Sequence, residues 1–193
     1  MLNKYKVIKN VLNKDQIESI LKKIKDNGCL EPHDFENFEG IKIDYNLIDV
    51  DRAVENVINE AEKYFLENFS IPNRQMILTR SYGTIMHPGA MLVPHKDLYN
   101  SGRLHDFSYG DALVCNVYLS DNFEGGELVF PELGIEIKPE AGDVVLFPGY
   151  LIEHGVNEVK SGSRITLINH FSLMSEEDTL KIQNPEHSLF YKK

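Results

Sequence analysis

The spacing of apolar positions along the chain changes near residue 75. Before that point apolar residues recur every three or four positions, which is the period of a helix with one buried face. The first helix is predicted to begin at Asn13 and Gln16, a capping pair in which each side chain can bond the other residue's backbone N–H. The second is predicted from about residue 51 to residue 68. Residues 1–75 are therefore a predicted helical region.

After residue 75, short apolar runs alternate with turn signals, which is the pattern of β-strands. Strands are predicted at 76–86, 91–97, 111–119, 126–130, 133–138, 143–147, 151–159 and 163–172. Many short strands with close turns indicate a sandwich or jelly roll rather than a parallel sheet. The predicted fold class is α+β, with a single domain over residues 1–193. It comprises the helical region, a β core at 76–172 and a C-terminal extension at 173–193.

The composition is ordinary for a globular protein, but the charge is strongly negative. The 193 residues are 42% hydrophobic and 26% charged, with a net charge of −10. Binding to nucleic acid needs a basic surface, so this charge argues against such a partner. Cys29 and Cys115 have no disulfide or metal-ligand spacing, which is typical of a reducing compartment. No secretion signal or long apolar stretch is present, so we expect a cytoplasmic protein without membrane contact.

A histidine and an aspartate stand two positions apart at the end of a predicted strand. His95 and Asp97 project to the same face of an extended strand, and Lys96 projects to the other. The best candidate for a third ligand is His154, 57 residues after Asp97. Two histidines and one carboxylate form the facial triad of non-haem Fe(II) oxygenases, which leaves coordination positions open. A His-x-Asp pair alone is common on protein surfaces, so the prediction depends on the residues beyond His154.

Arg164 lies ten residues after His154 and is followed by an apolar run. The predicted strands 151–159 and 163–172 are joined by a turn, so they could form a hairpin with Arg164 near His154 in the interior. A buried guanidinium needs an anion, and a carboxylate fits its planar fork. The alternative is a surface arginine in a salt bridge, which the apolar flank disfavours.

Three further polar residues share faces with these candidates. Tyr118 and Asn116 lie two positions apart on one predicted strand, and Thr166 lies two positions after Arg164 on another. A buried tyrosine hydroxyl needs a partner, which a carboxylate held by Arg164 could provide. Asn116 and Thr166 either add hydrogen bonds inside the same pocket or are satisfied polar residues of the core.

Several segments together carry a resemblance to a known family. They are residues 118–131, residues 137–148, Glu153-His154-Gly155-Val156 and Gly162-Ser163-Arg164. These segments resemble the strand and turn motifs of prolyl 4-hydroxylase-like 2-oxoglutarate/Fe(II) dioxygenases. The resemblance covers roughly residues 78–172, and the first 75 residues are less similar to the helical part of that family. It implies a double-stranded β-helix (jelly roll) core with N-terminal supporting helices.

The resemblance also implies roles for the candidate residues. Fe(II) would be bound by His95, Asp97 and His154, and the distal carboxylate of the cosubstrate 2-oxoglutarate by Arg164 and Tyr118. The implied reaction consumes O₂ and 2-oxoglutarate, releases succinate and CO₂, and hydroxylates a C–H bond; ascorbate is a further candidate cofactor. Related halogenases carry a small residue in place of the carboxylate, so Asp97 favours hydroxylation over halogenation.

Two positions can be compared with the family pattern. Collagen-type prolyl hydroxylases have a lysine where Arg164 stands, whereas hypoxia-sensing prolyl hydroxylases and many bacterial and viral relatives have an arginine. Many relatives have a tyrosine nine or ten residues before the first metal histidine, where this chain has Met86. Tyr82 is the candidate that replaces this tyrosine in the cosubstrate pocket.

The loop at 98–109, directly after the metal pair, is the predicted substrate lid. Functional lids are often polar loops on a rigid scaffold. Tyr99, Arg103 and His105 are therefore candidate substrate contacts, and the alternative is a solvated loop. The resemblance favours a peptide or free amino acid as the substrate, such as a prolyl residue.

Two other functions fit the same three ligands. A zinc-dependent hydrolase also uses histidine and carboxylate ligands with an open water position, but it would not require Arg164 or Tyr118. A non-catalytic, cupin-like metal-binding module is the third possibility. The identity of the bound metal and the release of succinate would separate the three.

Overall fold

The computed structural model of the protein describes residues 4–26, 30–32, 35–41, 52–69, 74–97 and 113–175. Within these residues the chain is mostly sheet with few helices. The helices are α1 (Lys14–Asp26) and α2 (Arg52–Phe69). The strands are β1 (Lys6–Ile8), β2 (Leu30–Pro32), β3 (Phe38–Ile41), β4 (Arg74–Met86), β5 (Leu92–His95), β6 (Leu113–Tyr118), β7 (Glu124–Gly125), β8 (Leu128–Phe130), β9 (Ile135–Ile137), β10 (Val144–Phe147), β11 (His154–Val156), β12 (Val159–Ser161) and β13 (Arg164–Ser175).

The strands form two sheets and a short ribbon, and all of their pairings are antiparallel. The large sheet has the order β1-β10-β6-β13-β4-β3-β2, the small sheet the order β5-β11-β8-β9, and the ribbon joins β12 and β7. Apolar side chains of β6 and β10 in the large sheet pack against those of β8 in the small sheet. The two sheets therefore lie face to face, as in a jelly roll.

The first helix begins where the sequence predicts it. The Gln16 backbone N–H donates to Asn13 Oδ1 at 3.0 Å, and the Asn13 backbone N–H donates to Gln16 Oε1 at 2.9 Å. These reciprocal bonds form a capping box at the start of α1 and satisfy two N–H groups there. Ile17 on its inner side packs into the core cluster that both helices share with the large sheet.

The second helix covers the outer face of the large sheet. Val57, Ala61, Tyr64 and Phe65 recur on one stripe of α2 and are buried against β6, β10 and β13. The Phe65 ring lies 5.9 Å from that of Phe171, measured between centroids. Neither described helix is both long and apolar enough to cross a membrane.

The side chains of β6 alternate between the two faces of the large sheet. Cys115 and Val117 face the helices, whereas Val114, Asn116 and Tyr118 face the small sheet. Successive side chains of a strand point to opposite sides. Because both faces of β6 are covered, all six of its residues are buried.

Residues 1–75 contain the two predicted helices and also three short strands that were not predicted, β1, β2 and β3. Strand β1 pairs with β10, about 140 positions away along the chain, and β3 pairs with β4. Each of the three strands has only three or four residues. Such strands are stabilised by distant partners and leave too short a local pattern to predict.

The predicted hairpin between 151–159 and 163–172 is also wrong. The first segment contains β11 of the small sheet and ends at the first residue of β12 in the ribbon, whereas β13 belongs to the large sheet. The chain leaves the small sheet at Asn157, whose N–H donates to the carbonyl of Glu127. It then turns through Gly162, at a positive φ of 74° that favours glycine, before β13 begins. His154 and Arg164 thus come from different sheets.

Candidate metal centre

The side chains of His95, Asp97 and His154 converge at one end of the small sheet. Strands β5 and β11 are neighbours, and the Cα atoms of His95 and His154 are directly opposite each other. Asp97 Oδ1 lies 3.6 Å from Nε2 of His95 and 3.7 Å from Nε2 of His154. The three ligand atoms all lie within 4.8 Å of one another, so one metal ion could contact all three.

Backbone carbonyls fix the orientation of both imidazole rings. Nδ1 of His95 lies 3.0 Å from the carbonyl of Val93, and Nδ1 of His154 lies 3.0 Å from the carbonyl of Ile152. In both rings Nδ1 is positioned to donate its proton to a carbonyl, which leaves the Nε2 lone pair toward Asp97. Metal-binding histidines are commonly oriented in this way.

Asp97 lies just past the end of β5 and is held by its backbone. Its N–H donates to the carbonyl of Gly149 at 3.0 Å. Its Oδ2 atom is buried and has no hydrogen-bond partner among the described residues. A buried carboxylate oxygen without a donor is costly, and a cation beside it would remove that cost. The donor set of two nitrogens and one carboxylate therefore fits a divalent metal ion.

The three groups influence one another's protonation. Burial favours the neutral acid of Asp97, but contact with His95 and the charges of nearby histidines outweigh it and hold the pKa of Asp97 below its ordinary value. Contact with Asp97 raises the pKa of His95, and burial lowers the pKa of His154. The carboxylate of Asp97 therefore lies between one imidazole that is protonated more easily than usual and one that is protonated less easily.

Lys96, between two of these residues, points away from the site as alternation predicts. Its ammonium group lies 2.8 Å from the Glu132 carboxylate. Lys96 therefore forms a surface ion pair and is not part of the candidate metal centre.

Arg164 enters the space between the sheets from the opposite side, at the start of β13. Only 2% of its surface is exposed. Its Nε donates to the carbonyl of Gly126 at 3.0 Å, and its Nη2 to the hydroxyl of Tyr118 at 3.1 Å. No carboxylate pairs with it in the part of the chain that the structure describes. A buried guanidinium bound only to neutral acceptors is a site for an anion.

Gly126 makes the approach of Arg164 possible. Its φ is +65°, and a Cβ atom there would lie 3.2 Å from Cδ of Arg164 and from the ring of Phe123. Any residue larger than glycine at this position would crowd Arg164 and Phe123, although the carbonyl of this residue must accept from Nε of Arg164.

The other predicted cosubstrate residues form a patch beside Arg164. Thr166 is directly opposite Tyr118 on one side and Thr84 on the other. Nη1 of Arg164 donates to the Thr166 hydroxyl at 3.3 Å, and that hydroxyl lies 3.0 Å from the one of Thr84. Burial raises the pKa of Tyr118, so its hydroxyl stays protonated and can donate. The side chain of Asn116 acts against this rise in the pKa of Tyr118, and its Oδ1 is buried with no partner among the described residues.

One cavity of about 340 Å³ joins the two groups of residues. Both sheets line it, and its walls include Asn116 and Arg164 as well as His95, Asp97 and His154. The structure therefore brings the predicted metal ligands and the predicted anion site to a single space.

Met86 and Tyr82 also line this cavity, at different distances from Arg164. Met86 is directly opposite Arg164, and its Sδ lies 3.6 Å from Nη1. Tyr82 is opposite Ile168, four residues or about 13 Å further along the strand. Tyr82 therefore does not occupy the position opposite the guanidinium, which the thioether of Met86 fills.

His170 is a cavity residue that sequence reasoning missed. It lines the cavity, and its ring is stacked on that of Tyr82 with centroids 5.7 Å apart and planes at 21°. The signal was available, because His170 continues the alternate positions 164, 166 and 168 of the same strand. The predicted substrate contacts Tyr99, Arg103 and His105 lie outside the described residues.

Comparison with protein families gives one match. Residues 80–172, just under half of the chain, match the model of the 2OG-Fe(II) oxygenase superfamily. No curated protein sequence matches the chain.

Comparison with solved structures gives matches over most of the chain. A viral collagen prolyl hydroxylase from Paramecium bursaria Chlorella virus-1 is 17% identical, with a TM-score of 0.70 over 90% of this chain and 97% of that one. A prolyl-4-hydroxylase from Pseudomonas putida is 17% identical, with a TM-score of 0.66 over 89% and 94%. A Trichoplax adhaerens prolyl hydroxylase, solved with a hypoxia inducible factor peptide fragment, is 16% identical, with a TM-score of 0.65 over 98% and 88%.

At these identities the structural matches show a common fold, and the family match covers the segment that carries the site. That segment includes His95, Asp97, His154 and Arg164. The part of the chain that carries the candidate site, residues 80–172, is therefore similar in sequence to the 2OG-Fe(II) oxygenase superfamily.

Proposed function

We propose that the protein is an Fe(II)- and 2-oxoglutarate-dependent oxygenase that hydroxylates a C–H bond. One observation carries the proposal. Two histidines and one aspartate meet at one end of the small sheet. Across a single cavity from them lies a buried guanidinium of the large sheet, which has no carboxylate partner among the described residues. This arrangement can bind a cation at one end and an anion at the other, as a metal-bound dicarboxylate requires.

We propose that His95, Asp97 and His154 hold the iron, which supplies O₂ activation coupled to the oxidation of 2-oxoglutarate to succinate and CO₂. The protein's own contribution is to orient the ligands through the Val93 and Ile152 carbonyls. A zinc hydrolase would use the same three ligands, but it gives no reason for the buried guanidinium of Arg164.

Arg164 and Tyr118 are the proposed ligands of the distal carboxylate of 2-oxoglutarate. The Arg164 guanidinium offers parallel N–H groups, and the protonated hydroxyls of Tyr118 and Thr166 can turn toward an anion. Asn116 keeps the Tyr118 hydroxyl in position. The same cavity is closed to bulk water on this side, because Tyr118 and Thr166 are fully buried.

The proposed substrate is a peptidyl prolyl residue or another amino-acid residue. The similar Trichoplax adhaerens enzyme was solved with a peptide. The cavity opens past Phe35 and Val93, which are 55% and 63% exposed and offer apolar contact to a substrate. Tyr99, Arg103 and His105 stay candidate contacts. We also propose that the two sheets form a double-stranded β-helix, with α1 and α2 as its support and residues 173–193 as an extension.

Anaerobic titration of the protein with Fe(II) and 2-oxoglutarate tests the proposal. A weak visible charge-transfer band is expected in the wild-type protein and should be absent in His95→Ala and Asp97→Ala. His87→Ala is the matched control, because His87 lies outside the cavity and pairs with Glu39 at 3.3 Å. A wild-type protein that binds zinc, gives no band and releases no succinate in air would contradict the proposal.

A further inference from the structure

The turn between β10 and β11 contacts two of the three candidate metal ligands, and any part that it plays in metal binding rests on the proposed function. The backbone N–H groups of Leu151 and Ile152 donate to the carbonyl of Pro148 at 3.0 and 3.1 Å, which closes the turn. The carbonyl of Ile152 lies 3.0 Å from Nδ1 of His154. The turn is therefore a fixed support for one imidazole of the candidate metal centre.

Gly149 in this turn holds the backbone of a second ligand. Its carbonyl accepts from the N–H of Asp97 at 3.0 Å, which joins the turn to the end of β5. Gly149 does not have a positive φ, so its backbone conformation alone does not require a glycine. The reason for a glycine here therefore lies in the space around its Cα atom.

A side chain at Gly149 would occupy the space that the Asp97 carboxylate fills. An added Cβ atom would overlap Oδ2 of Asp97, and it would lie 2.9 Å from Cγ of Asp97 and 2.8 Å from Cγ2 of Val114. Carbon atoms that are not bonded to each other are in favourable contact at about 3.5–4.0 Å, so the carboxylate would have to move.

Packing rather than hydrogen bonding fixes this side of the carboxylate. Oδ2 of Asp97 is buried and has no hydrogen-bond partner among the described residues. The other oxygen, Oδ1, lies 3.6 Å from Nε2 of His95 and 3.7 Å from Nε2 of His154. Any movement of Oδ2 away from Gly149 therefore also moves Oδ1 relative to the two imidazoles.

We propose that Gly149 is a positioning residue of the metal centre. Its carbonyl fixes the backbone of Asp97, and its lack of a side chain leaves the space for Oδ2, so that Oδ1 faces the point shared by the two imidazoles. Gly149 does not itself bind the metal. Alanine is the smallest side chain that fills this space, and it displaces the carboxylate without removing a ligand.

The first test measures Co(II) binding to the protein without cosubstrate. Co(II) binds to the same nitrogen and oxygen ligands, and its visible absorption depends on their number and geometry. Gly149→Ala should raise the dissociation constant of Co(II) about tenfold to a hundredfold, as is typical when a group that orients a metal ligand is changed. The visible spectrum of bound Co(II) should also change, which a loss of folding stability alone does not produce.

Gly83→Ala is the matched control. Gly83 on β4 also lacks a positive φ, and its added Cβ atom would lie 2.9 Å from Cβ of Ile41 and 3.0 Å from Cδ2 of Leu167. The substitution is similarly crowded, but these neighbours are apolar and are not candidate ligands. Gly83→Ala should lower the thermal midpoint of the metal-free protein and leave the Co(II) dissociation constant within about twofold of the wild-type value.

The double variant Asp97→Ala/Gly149→Ala tests the contact itself. Once the carboxylate is removed, the added methyl group has space, so the double variant should have the same thermal midpoint as Asp97→Ala. If Gly149→Ala alone does not fold, the double variant should recover folding.

Two results would overturn the inference. One is an unchanged Co(II) affinity and spectrum in Gly149→Ala. The other is a double variant less stable than Asp97→Ala, which would place the clash at Val114 instead of the carboxylate. If the wild-type protein binds neither Co(II) nor Fe(II), the proposed function fails as well, and this result is distinct from a defect confined to Gly149→Ala.

Discussion

At the scale of single residues, the charges of the site are divided between its two ends. The negative charge of Asp97 is surrounded by histidines, whereas the positive charge of Arg164 is surrounded by carbonyl, hydroxyl and thioether groups. Among the described residues, no lysine or arginine pairs with Asp97, which contacts only imidazoles, and no carboxylate pairs with Arg164. Both therefore gain from ligands of opposite sign, a cation at one end and an anion at the other.

Replacement of Arg164 should separate cosubstrate binding from metal binding. Arg164→Ala removes the donors for the distal carboxylate, so we expect the dissociation constant of 2-oxoglutarate to rise roughly a hundredfold. Fe(II) affinity should stay nearly constant, because the metal ligands lie on the other sheet. Arg164→Lys keeps the charge but loses the planar fork, so its dissociation constant for 2-oxoglutarate should lie between those of the wild type and Arg164→Ala. Collapse of Fe(II) binding with unchanged 2-oxoglutarate affinity would refute the assignment.

The protonation of His95 predicts how metal binding depends on pH. Contact with Asp97 raises the pKa of His95 above 6.5, so an entering metal must displace a proton at lower pH. The pKa of His154 is lowered, so His154 loses its proton at a lower pH than His95 does. Fe(II) affinity should thus fall as the pH decreases from 8 to 6, and the slope should approach one proton and about tenfold per pH unit. A pH-independent affinity, or a slope of two protons, would contradict this.

The cluster of His95, Asp97 and His154 was the most predictable part of the candidate site, because His95 ends β5, Asp97 lies only two residues further along, and alternation is local. Arg164 was predicted to be buried, but its strand was expected to pair with the strand of His154. That pairing is wrong because spacing in sequence does not show which sheet a strand joins. His170 was missed. A single histidine has no pattern of its own, and its place on the cavity wall depends on the partners of β13.

At the scale of elements, the helices stabilise the large sheet from outside. Phe65→Ala should therefore lower the free energy of unfolding by about 3–5 kcal/mol, because the Phe65 ring is fully buried against Phe171. The neighbouring residue provides the control, since Leu66 is 47% exposed and Leu66→Ala should cost less than about 1 kcal/mol. Urea denaturation measures both. Equal effects of the two variants would show that α2 does not pack on the sheet through this stripe.

Helices and strands that depend on local sequence patterns were predicted better than those that depend on distant partners. The start of α1 and both ends of α2 were predicted close to the observed positions, because the capping box of α1 and the apolar stripe of α2 are local to those segments. Strand β4 was also predicted nearly in full, since its 13 residues give a long pattern. The short strands β1, β2 and β3 depend on partners far along the chain, and the exchange between sheets after His154 depends on turns that periodicity does not specify.

At the scale of the whole molecule, ligand binding should stabilise the contact between the two sheets. Fe(II) and 2-oxoglutarate together would join residues of both sheets, and they bind only the folded protein. At a hundred times its dissociation constant, a ligand adds about 2.7 kcal/mol to the free energy of unfolding. The midpoint temperature of anaerobic thermal unfolding should therefore rise when both ligands are present. In Arg164→Ala the shift should shrink to that of Fe(II) alone, and an undiminished shift would mean that the cosubstrate does not bridge the sheets.

The two ends of the cosubstrate would be bound by residues of different sheets, and we expect this to govern which 2-oxo acid can be used. His95 and His154 belong to the small sheet and Arg164 to the large one, so the thickness of the packed layer between them determines the carbon-chain length that spans both anchors. Oxaloacetate, one methylene shorter, would reach only one anchor at a time, and 2-oxoadipate, one methylene longer, would have to buckle. We therefore expect apolar residues packed between the sheets, such as Phe130 and Val145, to influence chain-length selectivity without touching the acid.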